Sequence, residues 1–207
     1  MFEAEKSKMI KDQLIGRGIK DARVLKAMSS TPREEFVREM DKPISYADTP
    51  LSIGCGQTIS QPYIVAYMLE MLDIRDEHRV LEIGTGSGYE AALLSRLAKE
   101  IVTIEIVEDL YEEGKRRLEN LGYKNIEVVR GDGYRGYEKK APYDRIILSA
   151  APTDIPENLV DQLAINGRLI APVGGLFQEL ILLEKDESGK ITKKRLLPVK
   201  FVPMVGE

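Results

Sequence analysis

Residues 79–89 constrain the fold of this chain more than any other segment, because they read RVLEIGTGSGY. An apolar run, three alternating glycines and helical sequence together predict a buried strand, a tight turn and a helix. Gly84 and Gly86 can adopt backbone angles closed to other residues and leave space for a ligand, while Gly88 lets the helix pack closely on the strand. Backbone N–H groups at such a helix start face the ligand's polar groups. The segment therefore predicts a nucleoside-cofactor site.

The spacing of the glycines distinguishes two cofactor classes. Dinucleotide sites follow G-x-G-x-x-G, whereas this turn is G-x-G-x-G after the acidic residue Glu82, which favours S-adenosylmethionine over NAD. Glu105 ends the next apolar strand, where a carboxylate can bind both ribose hydroxyls. A glycine turn alone can be purely structural, so the prediction depends on the whole series of strand, turn, helix, strand and terminal acid.

Two later strand ends bear on the ligand and the methyl acceptor. Asp132 lies between Gly131 and Gly133, and its carboxylate can accept hydrogen bonds from the adenine amino group. The alternative for Asp132 is an Asx-turn without a ligand. Residues 149–152 read SAAP and lack the acceptors of the Asn/Asp-Pro-Pro-aromatic box typical of amino-methylating enzymes that act on bases. Base methylation is therefore disfavoured.

The composition excludes several kinds of site. The 207 residues are 43% hydrophobic without a low-complexity tract, which predicts a single domain, with N-terminal helices and a substrate loop in 1–72 and a cofactor-binding core in 73–207. One cysteine and one histidine exclude a disulfide and a Cys- or His-based metal site. Thirty basic and 34 acidic residues disfavour a nucleic-acid partner. Without a membrane-length apolar run or signal segment, we expect a soluble, cytoplasmic protein.

Alternating periodicities predict an α/β fold with a doubly wound, mostly parallel sheet, Rossmann-like, with antiparallel C-terminal strands and an N-terminal helical extension. Ligands bind at the carboxyl ends of the strands in such sheets. The predicted helices cover 3–15, 21–29, 62–72, 88–98, 107–121 and 156–163. After the strand before the glycine turn, the predicted strands cover 101–105, 126–129, 143–149 and 167–172, followed by a hairpin of 178–185 and 191–198.

Residues 46–62 form a second unusual segment, which we expect to be a loop leading into a helix. It reads YADTPLSIGCGQTISQP, and its hydroxyls, amide and glycines suit binding of a carboxylate or a cofactor tail. A purely structural interpretation makes Ser60 the N-cap of the helix that begins near Pro62. A cap and a ligand contact are compatible, so both interpretations stay open.

These segments resemble the protein-L-isoaspartate (D-aspartate) O-methyltransferase family over nearly the whole chain, chiefly at residues 31–37, 46–62, 81–88, 131–133 and 201–203. The resemblance implies that Ser60 is the active-site residue. It also implies cofactor contacts from Gly56, Gln57, Thr58, Ile59, Ser60, Gly84, Thr85, Glu105, Asp132 and Gly133, to which the glycine turn adds Glu82 and Gly86.

The resemblance implies methyl transfer from S-adenosylmethionine to the free α-carboxyl of L-isoaspartyl residues, and possible action on D-aspartyl residues, in damaged proteins. The ester then collapses through a succinimide, and part of it reopens as normal aspartate. A carboxylate with a pKa of about 4 is ionised at pH 7, so attack on the methyl group needs no general base. We expect a monomer that acts on isoaspartyl proteins and peptides, with no nucleic-acid or membrane partner. The alternatives are a base or small-molecule acceptor on the same scaffold, and a non-enzymatic protein that only binds the cofactor and a partner.

Overall fold

The computed structural model describes residues 2–206, which form six α-helices and nine strands. The helices are α1 Glu3–Lys8, α2 Ala22–Ser30, α3 Pro62–Leu72, α4 Tyr89–Leu94, α5 Glu108–Asn120 and α6 Glu157–Asp161. The strands are β1 Leu51–Gly54, β2 Gln57–Ile59, β3 Arg79–Ile83, β4 Glu100–Glu105, β5 Ile126–Arg130, β6 Tyr143–Leu148, β7 Leu163–Val173, β8 Gln178–Lys185 and β9 Ile191–Val199.

Seven of the strands form one sheet in the order β5-β4-β3-β6-β7-β8-β9. The first five strands in this order, β5, β4, β3, β6 and β7, pair in parallel. Strand β8 then runs antiparallel to β7, and β9 runs antiparallel to β8. The strand order reverses between β3 and β6, which places a crevice at the carboxyl ends of the central strands. The predicted fold class is confirmed, including the antiparallel ending.

The central strands are buried because both faces of the sheet carry hydrophobic layers. Val80 of β3 belongs to a core shared with the N-terminal helices, α3 and α4, whereas Leu81 and Ile83 face the other core, which includes Leu159 of α6. Strands covered on both sides are continuously apolar instead of alternating. This explains why β3, β4 and β6 are visible in the sequence as apolar runs.

Several elements differ from the sequence prediction; for example, the helix expected over 88–98 ends at Leu94. The helix expected over 3–15 is an α-helix only to Lys8, then a π-helical stretch at Met9–Leu14 and a 3-10 turn at Ile15–Arg17. The helix expected over 156–163 is only α6, because Leu163 already pairs with Tyr143 of β6 at the start of β7. Tertiary pairing thus overrides the local helical pattern.

The expected loop over 46–62 contains an antiparallel hairpin of β1 and β2. Its turn consists of Gly54, Cys55 and Gly56, all with positive φ (95°, 50° and 71°). The prediction that Ser60 caps α3 is wrong, because the N-cap is Gln61 and makes no side-chain cap hydrogen bond. Pro62 occupies the first helical turn, where its missing N–H leaves one fewer group for a cap to satisfy.

Within residues 2–206, none of the helices has the length and apolar character needed to cross a membrane. The same part of the chain contains no cluster of three or more His, Cys, Asp or Glu side chains arranged to hold a metal ion.

Candidate functional site

An open cavity of about 820 Å³, here called the main cavity, lies at the carboxyl ends of β3, β4 and β6. The β1–β2 hairpin covers one side, and residues 202–205, which follow β9, close another. The glycine turn after β3 forms the floor. The cavity therefore occupies the position at which open α/β sheets bind ligands.

The glycine turn holds backbone conformations that side chains disfavour. Gly84, Gly86 and Gly88 all have positive φ, of 96°, 51° and 88°. A Cβ on Gly88 would lie 3.0 Å from Cγ of Leu118, so the turn also packs tightly against α5. The sequence needs glycine here both for backbone conformation and for the approach of a helix.

Glu105, at the end of β4, ties this turn to the segment that follows β4. Its Oε2 accepts a hydrogen bond from the N–H of Gly86 at 2.8 Å, and its Oε1 accepts from the N–H groups of Ile106 and Val107, both at 3.0 Å. Oε2 keeps acceptor capacity for one more donor, because a carboxylate has about four lone-pair sites, two on each oxygen, and three are used here. Glu105 thus organises the cavity wall and can still bind a donor of a ligand.

Two further carboxyl groups line the main cavity with unusual surroundings. Glu82 is fully buried, and neither of its carboxyl oxygens has a hydrogen-bond partner within the described chain. Burial, and then the charge of Glu90, raise the pKa of Glu82 well above its ordinary value. Glu90 shares a hydrogen bond with the hydroxyl of Ser149, while its Oε1 has no partner among residues 2–206. Burial raises the pKa of Glu90 to about 7.

Ser60 is held through its backbone. The guanidinium of Arg33, which is fully buried, donates from Nη2 to the Ser60 carbonyl and from Nε to the Ser45 carbonyl, both at 2.8 Å. The ring of Tyr89 lies 4.8 Å from the guanidinium carbon. Burial lowers the pKa of Arg33, against the opposing effect of the nearby tyrosines. The Ser60 hydroxyl itself makes no hydrogen bond within the described residues, so it is available to a ligand.

A second cavity of about 960 Å³, here called the side groove, lies next to the main cavity. Its wall includes Pro50, Ile64 and residues 198–202 at the end of β9. The side groove and the main cavity meet at a junction formed by the residues that line both: Thr58, Ser60, Ser149 and Val202. A group at this junction can contact ligands in both cavities.

The structure brings most of the predicted site residues to the main cavity. Gly56 instead lies exposed in the turn of the β1–β2 hairpin, outside the cavity lining. Asp132 is also outside the lining and accepts a hydrogen bond from the N–H of Tyr134 at 2.9 Å, which is the Asx-turn geometry. The predicted residues that line the main cavity are Gln57, Thr58, Ile59, Ser60, Glu82, Gly84, Thr85, Gly86, Glu105 and Gly133.

Sequence reasoning missed several residues of this site. Glu90 is one residue into a helix, and its sequence context predicts no role for it. Ser149 lies in the segment SAAP, whose position after a strand predicts that it lies at the ligand edge, but nothing in the sequence predicts a role for its hydroxyl. Arg33 lies in a recognisable segment, but no local signal shows that it reaches the Ser60 carbonyl 27 positions later. The one local signal for Glu90 is its position, because it is a carboxylate at the start of a helix that directly follows the glycine turn.

Comparison with known proteins agrees with the fold and the cavity. The family model described as protein-L-isoaspartate(D-aspartate) O-methyltransferase matches residues 4–207. Protein-L-isoaspartate O-methyltransferase 2 of Nitrosococcus oceani is 49% identical over 199 residues, covering 96% of this chain and 91% of the relative. The protein-L-isoaspartate O-methyltransferase of a Picosynechococcus strain is 47% identical over 203 residues, covering 98% and 91%.

Two solved structures resemble the whole chain. One, named as a protein-L-isoaspartate O-methyltransferase, has a TM-score of 0.89 at 32% identity and covers 97% of this chain, which spans 66% of that structure's chain. The other is a Plasmodium falciparum structure, named for the same activity and described in complex with S-adenosyl-L-homocysteine. Its TM-score is 0.85 at 28% identity, with 98% of this chain and 99% of that chain covered.

Proposed function

Because the chain belongs to the protein-L-isoaspartate(D-aspartate) O-methyltransferase family, we propose that Ser60 holds the substrate carboxyl at the junction between the main cavity and the side groove. The enzyme uses S-adenosylmethionine to methylate the free α-carboxyl of L-isoaspartyl residues in damaged proteins. The observation that supports this role of Ser60 is that Ser60 lines both the main cavity and the side groove. A hydroxyl at that point can contact a peptide carboxyl that faces the cofactor.

The main cavity fits S-adenosylmethionine by the chemistry of its donors and acceptors. The buried, unpartnered oxygens of Glu82 suit a cationic ligand that carries an amino group. Oε2 of Glu105 can accept from a ribose hydroxyl. Asp132 is next to the lining residue Gly133 and carries a carboxylate, the type of group that accepts hydrogen bonds from an adenine amino group. The residues that would hold the cofactor are therefore Gln57, Thr58, Ile59, Ser60, Glu82, Gly84, Thr85, Gly86, Glu105, Asp132 and Gly133.

When bound, the cofactor supplies an electrophilic methyl group, and the chain has to place an oxygen nucleophile against it. The substrate carboxylate, with a pKa of about 4, is ionised at neutral pH, so no residue needs to remove a proton from it. Ser60 donates one hydrogen bond that orients the carboxylate. Orientation and exclusion of water then supply the rate enhancement.

The side groove suits an extended peptide next to Ser60. Residues 198–202 supply one wall, and the backbone of this segment is fixed because the N–H of Ala151 donates to the Val202 carbonyl at 2.8 Å. Isoaspartyl residues form in flexible loops, where the chain can extend into a groove. We therefore place the isoaspartyl side of the substrate at Ser60 and the flanking residues along 198–202.

The biological outcome follows from the chemistry of the product ester. The neighbouring backbone nitrogen attacks the ester carbonyl and displaces methanol, which gives a succinimide. Hydrolysis of the succinimide reopens part of it as normal aspartate. The enzyme thereby starts the repair of isomerised proteins.

We further propose that the enzyme acts as a monomer in the cytoplasm on protein and peptide substrates, without nucleic acid or membrane. The mixed charge of 30 basic and 34 acidic residues is consistent with a substrate other than nucleic acid. Sedimentation of the purified protein at the size of one 23.3 kDa chain supports the monomer, and a dimer contradicts it.

The decisive experiment compares two peptides that differ only in an isoaspartyl or an aspartyl linkage. We expect transfer of radiolabelled methyl from S-adenosylmethionine to the isoaspartyl peptide alone, with release of labelled methanol after base treatment. Equal labelling of both peptides would contradict the proposed acceptor. Binding of S-adenosylhomocysteine without any methyl transfer would instead indicate a protein that only binds the cofactor.

A further inference from the structure

Besides Ser60, a second serine hydroxyl lies at the junction of the two cavities. Ser149 follows β6 and lines both the main cavity and the side groove. Its backbone is fixed, because its N–H donates to the Ile83 carbonyl at 2.9 Å. A Cβ on Gly84 would lie 3.5 Å from the Ser149 Cβ, so the serine sits directly over the glycine turn. Ser149 thus lines the same junction as Ser60, but it is held by the sheet, at the end of β6.

The hydroxyl of Ser149 is engaged by a carboxyl that has no other partner. In the structure, the Ser149 hydroxyl donates to Oε2 of Glu90, in the first turn of α4, and Oε1 of Glu90 remains unpaired within residues 2–206. A hydroxyl has one proton and two lone pairs. The protonation state of Glu90 therefore decides whether the serine proton is used internally or is available to a ligand.

We propose that Ser149 is a second hydroxyl contact for the substrate carboxylate, and that Glu90 is the positioning residue that frees its proton. This inference rests on the proposed placement of that carboxylate at Ser60. Protonated Glu90 donates to Ser149 Oγ, and the serine hydroxyl then donates to the substrate carboxylate. Ionised Glu90 can only accept, so Ser149 turns its proton inward and presents lone pairs to the substrate anion.

Burial keeps a substantial fraction of Glu90 protonated at neutral pH. Burial raises the pKa of Glu90 to about 7, against the hydrogen bond from Ser149, which lowers it. The ionisable groups facing this pair are Glu82 on β3 and, beyond it, Glu105 at the end of β4. The buried cation of this region, Arg33, directs its Nε and Nη2 donors to the Ser45 and Ser60 carbonyls.

The first test separates the hydroxyl from the rest of the serine side chain. We expect Ser149→Ala to raise the KM for an isoaspartyl peptide about tenfold, since a hydrogen bond to a charged group is lost, while Ser149→Thr keeps the KM within about threefold. The affinity for S-adenosylhomocysteine, measured by calorimetry, should stay unchanged in both variants. Ser29→Ala, at an exposed serine of α2, is the matched control.

The second test uses the pH dependence of the peptide KM between pH 6 and 9, with a blocked peptide that contains no other ionisable group. The wild-type KM should rise above about pH 7 as Glu90 ionises. Glu90→Gln should remove that rise, because the amide donates to Ser149 Oγ at every pH. Glu157→Gln, at an exposed residue of α6, should keep the wild-type profile.

The possible outcomes distinguish this inference from the proposed function. Wild-type enzyme that selects the isoaspartyl peptide, with Ser149→Ala within twofold of the wild-type KM, would overturn the inference alone. If the pH dependence of the peptide KM were the same for Glu90→Gln and for wild type, the proposed positioning role of Glu90 would be overturned. Wild-type enzyme that does not distinguish the two peptides would overturn both proposals.

Discussion

Nη2 of Arg33 donates a 2.8 Å hydrogen bond to the carbonyl oxygen of Ser60, so a fully buried cation lies directly behind the proposed active-site residue. The same guanidinium holds the Ser45 carbonyl, while its Nη1 has no partner in the described chain. Burying a charge without an ion pair is costly, and here it is offset by two charge-assisted hydrogen bonds and the face of Tyr89. The arrangement links the segment before the β1–β2 hairpin to the junction of the cavities.

We predict that Arg33→Lys lowers the free energy of unfolding by about 2–4 kcal/mol, because an ammonium cannot reach both carbonyls with fork geometry and one is left buried without a donor. The rate of methyl transfer should also fall, because the Ser60 carbonyl loses the hydrogen bond that holds the Ser60 backbone in place. Urea denaturation and peptide methylation measure the two effects. Arg38→Lys, at an exposed pair with Asp41, should change stability by less than about 1 kcal/mol. Equal stability of the two variants would contradict the anchoring role.

We predict that Glu105→Gln weakens binding of S-adenosylhomocysteine at least about tenfold. The carboxylate accepts from the N–H groups of Gly86, Ile106 and Val107, and an amide would turn an NH₂ group toward at least one of them. The glycine turn would then be displaced already in the ligand-free protein. Calorimetric titration measures the affinity, with Glu108→Gln, at an exposed surface pair, as the control. Wild-type affinity in Glu105→Gln would show that this carboxylate does not organise the cavity.

Two neighbouring glycines provide a matched steric test. A Cβ on Gly133 would meet the Ile83 Cγ2 at 2.3 Å, whereas a Cβ on Gly131 has no neighbour closer than the Ile104 Cγ2 at 3.9 Å. Ile83 is a core residue of β3 and cannot move aside easily. We therefore expect Gly133→Ala to cost about 1–3 kcal/mol of stability and most of the cofactor affinity, and Gly131→Ala to be nearly neutral. Thermal unfolding and titration of both proteins check this, and similar losses in both would refute the steric explanation.

Comparison of helix α3 with the residues of the site shows which features can be predicted from the sequence. Pro62–Leu72 was predicted with its observed bounds, because an apolar stripe of helical period and a proline at the start are local signals. Gly84 and Glu105 were predicted from their own strand and turn, and both line the main cavity. The contact between Glu90 and Ser149 was not predicted, since the two residues lie 59 positions apart and only the parallel pairing of β3 with β6 brings them together. A long-range contact between two common polar residues has no periodicity to detect.

The buried pair of Glu82 and Glu90 predicts an unusual pH dependence of stability. Both pKa values are raised from an ordinary 4.5, Glu90 to about 7, so the folded protein binds more protons than the unfolded chain between those values. Their favourable contribution is complete below about pH 4.5 and is lost as the pH rises through the folded pKa values. Replacing Glu82 by Gln should remove part of this loss, making the variant more stable than wild type at pH 8.

Urea denaturation at pH 5 and pH 8 measures this effect as a difference between wild type and Glu82→Gln. Carboxyls that do not interact with Glu82 titrate equally in both proteins, so the difference reports on the buried pair of Glu82 and Glu90. Glu157→Gln, at an exposed residue, should show no such difference. A Glu82→Gln advantage that does not grow from pH 5 to pH 8 would contradict the raised pKa.

Ser60→Ala should reduce methylation of an isoaspartyl peptide at least about a hundredfold, with little change in affinity for S-adenosylhomocysteine. The hydroxyl makes no hydrogen bond within the described residues and lies in the wall common to both cavities, so its loss affects the bound carboxyl and not the fold. Single-turnover rates and calorimetry separate the two effects. Ser52→Ala is the matched control, because Ser52 lies exposed on β1 of the same hairpin and outside both cavities. Equal rates for Ser60→Ala and wild type would mean that Ser149 or the backbone positions the carboxylate without Ser60.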